Sequence, residues 1–454
     1  MKHYRIFFLT GVLLLASQIV AFGKTYPWAW LPYGLGRFFW LAISLAFLAF
    51  VVKQSFFVGK KSSGINGFTS RVEEKILTVL SSKAGLWTLI GLNIIFQILN
   101  FVKFRDIGYH FPFFSLIACF IAIPLVIQER LLTAFALNIA LLIGSIIHFP
   151  LTGFRSDMLL VIQQGLDSWS AGKDPYYIGQ YPWGLSGMPY FPGILFSHLP
   201  AWALGIDMRW NQVFYRVAWM ALLYRQVSFR RNRRAIALLA LFALSPYINF
   251  RHDLYFEAFL LLLALWASFG KTRFIVIPLL AVTWQLGCAL CPFLVWEEIF
   301  HTGEQTVRHR IGRTAGLTGG FVLVTGLTFL LLKGTTTLDS FMNIAFFITN
   351  TGADPHGLFV IDYGLTLAQI FIWSGWEKYA SIVEVLGGFS IFVYYVIHRK
   401  GKPDIFWFCT LSALVFFIMT AIHFWQYFWV FPVFWMILGL LNENESVSLQ
   451  GGIL

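Results

Sequence analysis

The chain has 454 residues, of which 58% are hydrophobic and 12% charged, with a net charge of +12. Soluble globular domains run at about 45–50% apolar and about 25% charged, so the composition excludes an ordinary soluble enzyme; a mean hydropathy of +0.71 points the same way, to a membrane protein. The basic residues fall in short clusters between apolar runs, the pattern of cytoplasmic loops rather than of a nucleic-acid surface, so nucleic acid is not expected as a partner.

The N-terminal "MKHYRIFFLTGVLLLASQIVAF" holds an apolar stretch just long enough to span and lacks a small-x-small cleavage site. It reads as a first transmembrane helix with Lys2 and Arg5 on the cytoplasmic side. Further runs of spanning length follow near 36–53, 84–103, 109–127, 131–149, 209–227, 236–250, 254–269, 314–332, 379–397, 404–421 and 427–441, after the first at 4–22. The stretch 274–300 is too long for one span and is broken by Gly287 and Pro292, so it reads either as one kinked helix or as paired half-helices. The fold class is therefore all-α, a polytopic transmembrane bundle of about 12–13 spans, with interfacial helices in its outer loops. The polar tail at 442–454 is placed in the cytoplasm.

Basic clusters orient the bundle. The 53–83 loop, "FRRNRR" at 229–234, "RHRIGR" at 308–313 and "HRKGK" at 398–402 all belong inside. Counting from a cytoplasmic N-terminus, the segment 150–208 lies outside, as do a second loop at 334–378 and a short one at 249–253. "GILFSHLPAWALGI" (193–206) is too short to cross and would reverse the later loops if it did, so it reads as interfacial or re-entrant. The same parity places 362–376 on the outer surface and favours half-helices at 274–300. Cys119, Cys288, Cys291 and Cys409 all sit in apolar runs with no second CxxC and no nearby His, and read as small core residues.

Charged groups near membrane depth are costly and mark functional sites by default. Here they gather on the outer side. Asp157 opens an amphipathic stretch just past a span; it can cap that helix or, in a half-dry interface that raises its pKa, act as a general base. In "GKDPYYIGQYPW" (172–183), Gly172 suits a helix C-cap and Asp174 before Pro175 suits a turn, while Tyr176, Tyr177 and Trp183 can build an aromatic wall. Arg251, His252, Asp253 and Glu257 crowd the turn after Pro246, where an Arg beside a His suits phosphate, or where all four simply snorkel to the interface. His423, Gln426 and Tyr427 are the strong polar groups between the last apolar runs. No Walker, GxGxxG, GxSxG or HExxH pattern is present.

An aspartate shortly after a span, then "GLDSWSAGKDPYY", then "MPYFPGILFSHLPAWALGID", resembles the polytopic GT-C glycosyltransferases, most closely the bacterial polyprenol-phosphate-mannose-dependent branch, family 87. Asp157 matches that family's outer-loop aspartate, Gly172–Tyr176 its G-x-DPY turn, and Tyr190–Pro192 with Pro200 its Y-x-P step, ahead of the Arg-rich 230–234. "NFRHDLYFE" stands where the family has a "P…GQ.N" turn; "DYGLTLAQI" and His423–Tyr427 match loosely. About five spans precede the aspartate here, so residues 1–130 read as an added module and 131–441 as the catalytic core.

The resemblance implies a polyprenyl-phosphate-sugar donor, with mannose or another hexose or pentose, and a lipid or glycan acceptor at the outer face of a bacterial inner membrane. Asp157 would be the catalytic base of an inverting transfer. Arg155, Asp174, Tyr176, Tyr177, Tyr190, Arg251, His252, Asp253, Glu257, His423, Gln426 and Tyr427 would line the substrates. Such a donor carries its own leaving group, so no metal is demanded, and a divalent ion near Asp157 and Asp174 stays open. Two other classes stay open as well: a flippase or transporter, and an outer-face ligase or acyltransferase using the "RHD" at 251–253.

Overall fold

The computed structural model describes residues 130–148, 157–176, 191–228, 257–300, 307–332, 376–398 and 405–419, with Ala49, Val52, Thr88, Gly91, Ile121 and Gln128 as single positions. Apart from those single positions, the expected spans at 4–22, 36–53, 84–103, 109–127, 236–250 and 427–441 and most of the 334–378 loop lie outside the described residues.

Among the described residues every regular element is helical. In chain order they are α1 (Leu131–His148), α2 (Asp157–Ser170), α3 (Pro192–Ser197), α4 (Leu199–Ala203), α5 (Arg209–Ser228), α6 (Glu257–Ser268), a 3-10 turn (Gly270–Thr272), α7 (Arg273–Thr283), α8 (Gln285–Phe300), α9 (Val307–Leu331), α10 (Glu377–His398) and α11 (Ile405–Met419). The all-α expectation holds for these residues. Among the described residues one helix, α9, is long and apolar enough to cross a membrane, and a second crossing is added if α6 and α7, bent by 120°, form one broken span.

The helices share two ends. At the upper end α1 finishes where α5 begins, because Arg209 Nη2 donates to the Ile146 carbonyl at 3.3 Å. α5 and α6 then descend side by side, from Arg216 against Glu257 to Arg225 over the Phe269 ring. At the lower end Glu298 of α8 holds Arg273 of α7 and Arg313 of α9, each at 3.2 Å. Glu297 accepts from the Tyr395 hydroxyl of α10 at that same end. α9 rises again, laying Gly316 and Gly320 against Phe274. Its 25 residues measure about 37 Å at 1.5 Å per residue, enough to cross a hydrocarbon core of about 30 Å.

The 274–300 stretch is two helices, not one kinked helix. Trp284 is extended (φ −151°, ψ 150°) and ends α7. The chain doubles back there: Cys288 Sγ meets the Ala281 carbonyl near the tip, and Arg273 meets Glu298 at the base. The break sits at Trp284 rather than at Gly287 or Pro292, and Pro292 lies inside α8. Gly287 has another task. A Cβ there would overlap the Leu280 carbonyl, so only glycine lets the two arms close. Gly287→Ala should destabilise the protein by about 1–3 kcal/mol through forced backbone displacement. Gly388→Ala, with open space around it, should be neutral or slightly stabilising. Thermal unfolding of the two variants in detergent, each compared with the native chain, checks both.

On α5 burial is inverted relative to a soluble helix: Arg216 and Gln212 are 0% and 1% exposed while Phe214 and Val217 are 67% and 46% exposed. α9 turns Val322, Leu323, Leu327, Phe329 and Leu330 outward. Exposed apolar faces of this kind mark contact with lipid or with another protein surface. α5 itself departs from expectation: with Arg209, Arg216 and Arg225 it falls short of the apolarity of a membrane span, and two of those arginines point inward. α9 also starts earlier than expected, so the "RHRIGR" cluster forms its first turns instead of a connecting loop. Cys409 is buried as expected, whereas Cys288 is exposed and Cys291 half-buried.

Candidate functional site

The upper end is built from the segment that the sequence marks as an outer loop. α2 starts at Asp157; the orientation of the Asp157 side chain lies outside the described residues. Leu159, Ile162 and Leu166 recur at helical spacing and are fully buried, while Gln163 and Asp167 face outward, so α2 lies flat on an apolar support. It ends in a Schellman motif: Gly172 (φ 72°) donates to the Trp169 carbonyl at 3.1 Å and Lys173 to the Ser168 carbonyl at 2.9 Å. Asp174 Oδ1 then accepts the Tyr176 N–H at 2.9 Å, an Asx turn that redirects the chain. Tyr176 is 2% exposed and its ring belongs to the core.

α3 and α4 are six and five residues long, far too short to cross, as the 193–206 reading requires. Gly193 brings α3 onto the tip of the α7–α8 hairpin, where a Cβ would stand 2.6 Å from Thr283 Cα. Trp169 packs edge-on against Phe196 and Trp202 at 5.5 and 6.4 Å. Trp202 Nε1 donates to Asp167 at 2.7 Å, and Trp169 Nε1 to the Leu331 carbonyl at the top of α9 at 2.5 Å. The three short helices thus form a platform pinned to α9 and to the hairpin tip.

Under this platform runs a polar stripe that the sequence reading missed. Arg209, Gln212, Arg216 and Trp219 share one face of α5. Arg209 Nε donates to both Asp207 oxygens, and Asp207 also accepts the Arg209 backbone N–H, fixing the start of α5. Gln212 meets His198 Nε2 at 2.5 Å. Arg216 donates to Glu257 through Nε at 3.0 Å and Nη2 at 2.5 Å, and Trp219 Nε1 donates to the other Glu257 oxygen at 2.5 Å. Glu257, expected among the substrate-lining groups, is 0% exposed and its carboxylate is committed to α5. The signal for the stripe was present: an arginine within an apolar run, with further polar groups three, four and seven residues away on one helix face.

His198 is fully buried, with Nδ1 2.9 Å from the Ile194 carbonyl. With Nδ1 donating there and Nε2 accepting from Gln212, both nitrogens are satisfied in the neutral ring. Burial lowers its pKa to about 4, partly offset by the Ile194 carbonyl, against an ordinary value near 6.5. Since the unfolded chain takes up this proton first, stability is full above about pH 6.5 and falls as pH drops towards 4. The loss should reach about 3 kcal/mol. His198→Gln should flatten that acid limb; melting the two proteins between pH 7.5 and pH 4.5 checks it.

Of the remaining expected site residues, Arg155, Tyr177, Tyr190, Arg251, His252, Asp253, His423, Gln426 and Tyr427 lie outside the described residues. Among the described residues no group of three or more His, Cys, Asp or Glu side chains is placed to hold a metal ion. No protein-family model, no curated protein and no solved structure matches the chain.

Proposed function

We propose that the chain is an integral-membrane glycosyltransferase that moves a sugar from a polyprenyl-phosphate donor to a lipid or glycan acceptor at the outer face of a bacterial inner membrane. The observation that carries this reading is the upper platform. The described residues 157–176 and 191–206, which resemble parts of the GT-C outer loop, fold as a flat helical layer that begins at Asp157 and is pinned above the α7–α8 hairpin. In this reading the upper end is outside and the arginine-rich lower end is cytoplasmic, in keeping with the positive-inside rule.

Asp157 takes the proton of the acceptor hydroxyl as that oxygen forms its bond to the anomeric carbon. The bond from that carbon to phosphate oxygen breaks, and the polyprenyl phosphate leaves with the electron pair. One in-line displacement inverts the anomeric carbon. Arg251 and His252 are assigned to the departing phosphate. The four expected N-terminal spans serve as an added module beside a core of residues 131–441.

One observation favours a second reading, a transporter of lipid-linked sugars: helices that double back within the bundle are used by transporters to build substrate sites. Reconstituted vesicles separate the two. Formation of a new glycosidic bond that depends on Asp157 supports transfer; movement of the labelled lipid across the bilayer with no new bond supports transport.

A further inference from the structure

We propose that the lower end of the bundle binds the phosphate headgroup of an anionic phospholipid where the α6–α7 bend, the end of α8 and the start of α9 converge. The proposal rests on the membrane reading of the chain and not on sugar transfer. Five cations meet at this place: Lys271 in the 3-10 turn, Arg273 opening α7, and Arg308, Arg310 and Arg313 in the first turns of α9. Their nearby described carboxylates are Glu297, engaged by Tyr395, and Glu298. Glu298 is 5% exposed and shared by Arg273 and Arg313, whose side chains still reach the surface at 29% and 22% exposure. One carboxylate between two guanidiniums leaves positive charge over.

Lys271, Arg308 and Arg310 are exposed around that pair. Two of the guanidiniums are held by aromatic faces, Arg273 over Trp266 at 5.3 Å and Arg310 over Phe300 at 5.7 Å. Such stacking holds the planar fork in place, so less entropy is lost when it grips a phosphate with two hydrogen bonds. Three arginines at the start of α9 also oppose the helix dipole, a cost that an anion there removes. A lipid fits better than free phosphate because the charge is continuous with an apolar surface. Ile311 stands exposed among the arginines, and Val322, Leu323 and Leu327 continue outward along α9. That is where acyl chains would lie.

The test uses the full chain, purified in mild detergent and offered phosphatidylglycerol and phosphatidylcholine of identical acyl chains, with retained lipid read by native mass spectrometry. The native chain should retain phosphatidylglycerol preferentially, less so at high salt. Lys271→Gln/Arg308→Gln/Arg310→Gln should lower that retention about tenfold or more. Arg130→Gln, which removes an exposed charge before α1, should not. Equal retention of the two lipids, an unchanged triple variant, or displacement of the lipid by inorganic phosphate would each overturn the site. Alkaline carbonate extraction keeps the premise separate. A chain that stays in the membrane without lipid preference sinks only the site, whereas a chain released to the supernatant sinks the membrane reading with it.

Discussion

Replacing Asp157 by Asn should abolish sugar transfer from a polyprenyl-phosphate donor while leaving the protein folded. A positioned general base contributes about 100- to 10,000-fold to a rate, and an amide cannot take the acceptor proton. The fold should survive because Asn matches Asp in shape and caps helix starts equally well, and because α2 is held by Leu159, Ile162 and Leu166 rather than by its first residue. The measurement is transfer of radiolabelled sugar in reconstituted vesicles, alongside a melting curve of the same preparation. Transfer at near-native rate by a folded Asp157→Asn protein sinks the proposed mechanism. A variant that melts early would instead mark the negative charge of Asp157 as structural, since Asn keeps the cap.

The second large effect falls on stability. Glu257→Ala leaves Arg216 buried at 0% exposure without its carboxylate. An uncompensated buried charge costs about 3–5 kcal/mol, a large part of the roughly 5–15 kcal/mol that stabilises a typical domain. The Trp219 indole N–H loses its acceptor in the same step. α5 and α6 should therefore separate first, with a lower Tm in detergent and poor yield. The double variant Arg216→Met/Glu257→Leu should recover most of the loss, because an apolar pair of similar volume needs no desolvated charges. Native-like melting of Glu257→Ala, or a double variant no better than the single one, would show that the pair does not lock these helices.

Gly172 as a helix C-cap and Asp174 as a turn former are local matters, set by backbone conformation and a side chain that reaches two residues along. Both are seen in the structure as read. The 193–206 stretch was legible as non-crossing from its length and from loop parity, and it forms two short helices. The break in 274–300 was legible as a break but misplaced. Glycine and proline are strong local signals, yet α8 absorbs Pro292 within its length and uses Gly287 for close approach, leaving Trp284 to make the turn. The start of α9 was read too late because arginines were taken as loop residues, although arginine is a good helix former.

The amino-acid sequence by itself determined that the chain is rich in apolar segments, that its described residues are helical and that the long 274–300 stretch is broken. Those properties follow from composition, periodicity and contacts between near neighbours. Tertiary structure alone decided which charges meet. Arg216 and Glu257 are 41 residues apart, Trp169 and Leu331 are 162, and Glu297 and Tyr395 are 98. A charge in an apolar run announces only that it needs a partner, since its desolvation must be offset somewhere. Which partner it finds depends on how helices distant in sequence pack, and that moved Glu257 from an expected substrate pocket into the joint between α5 and α6.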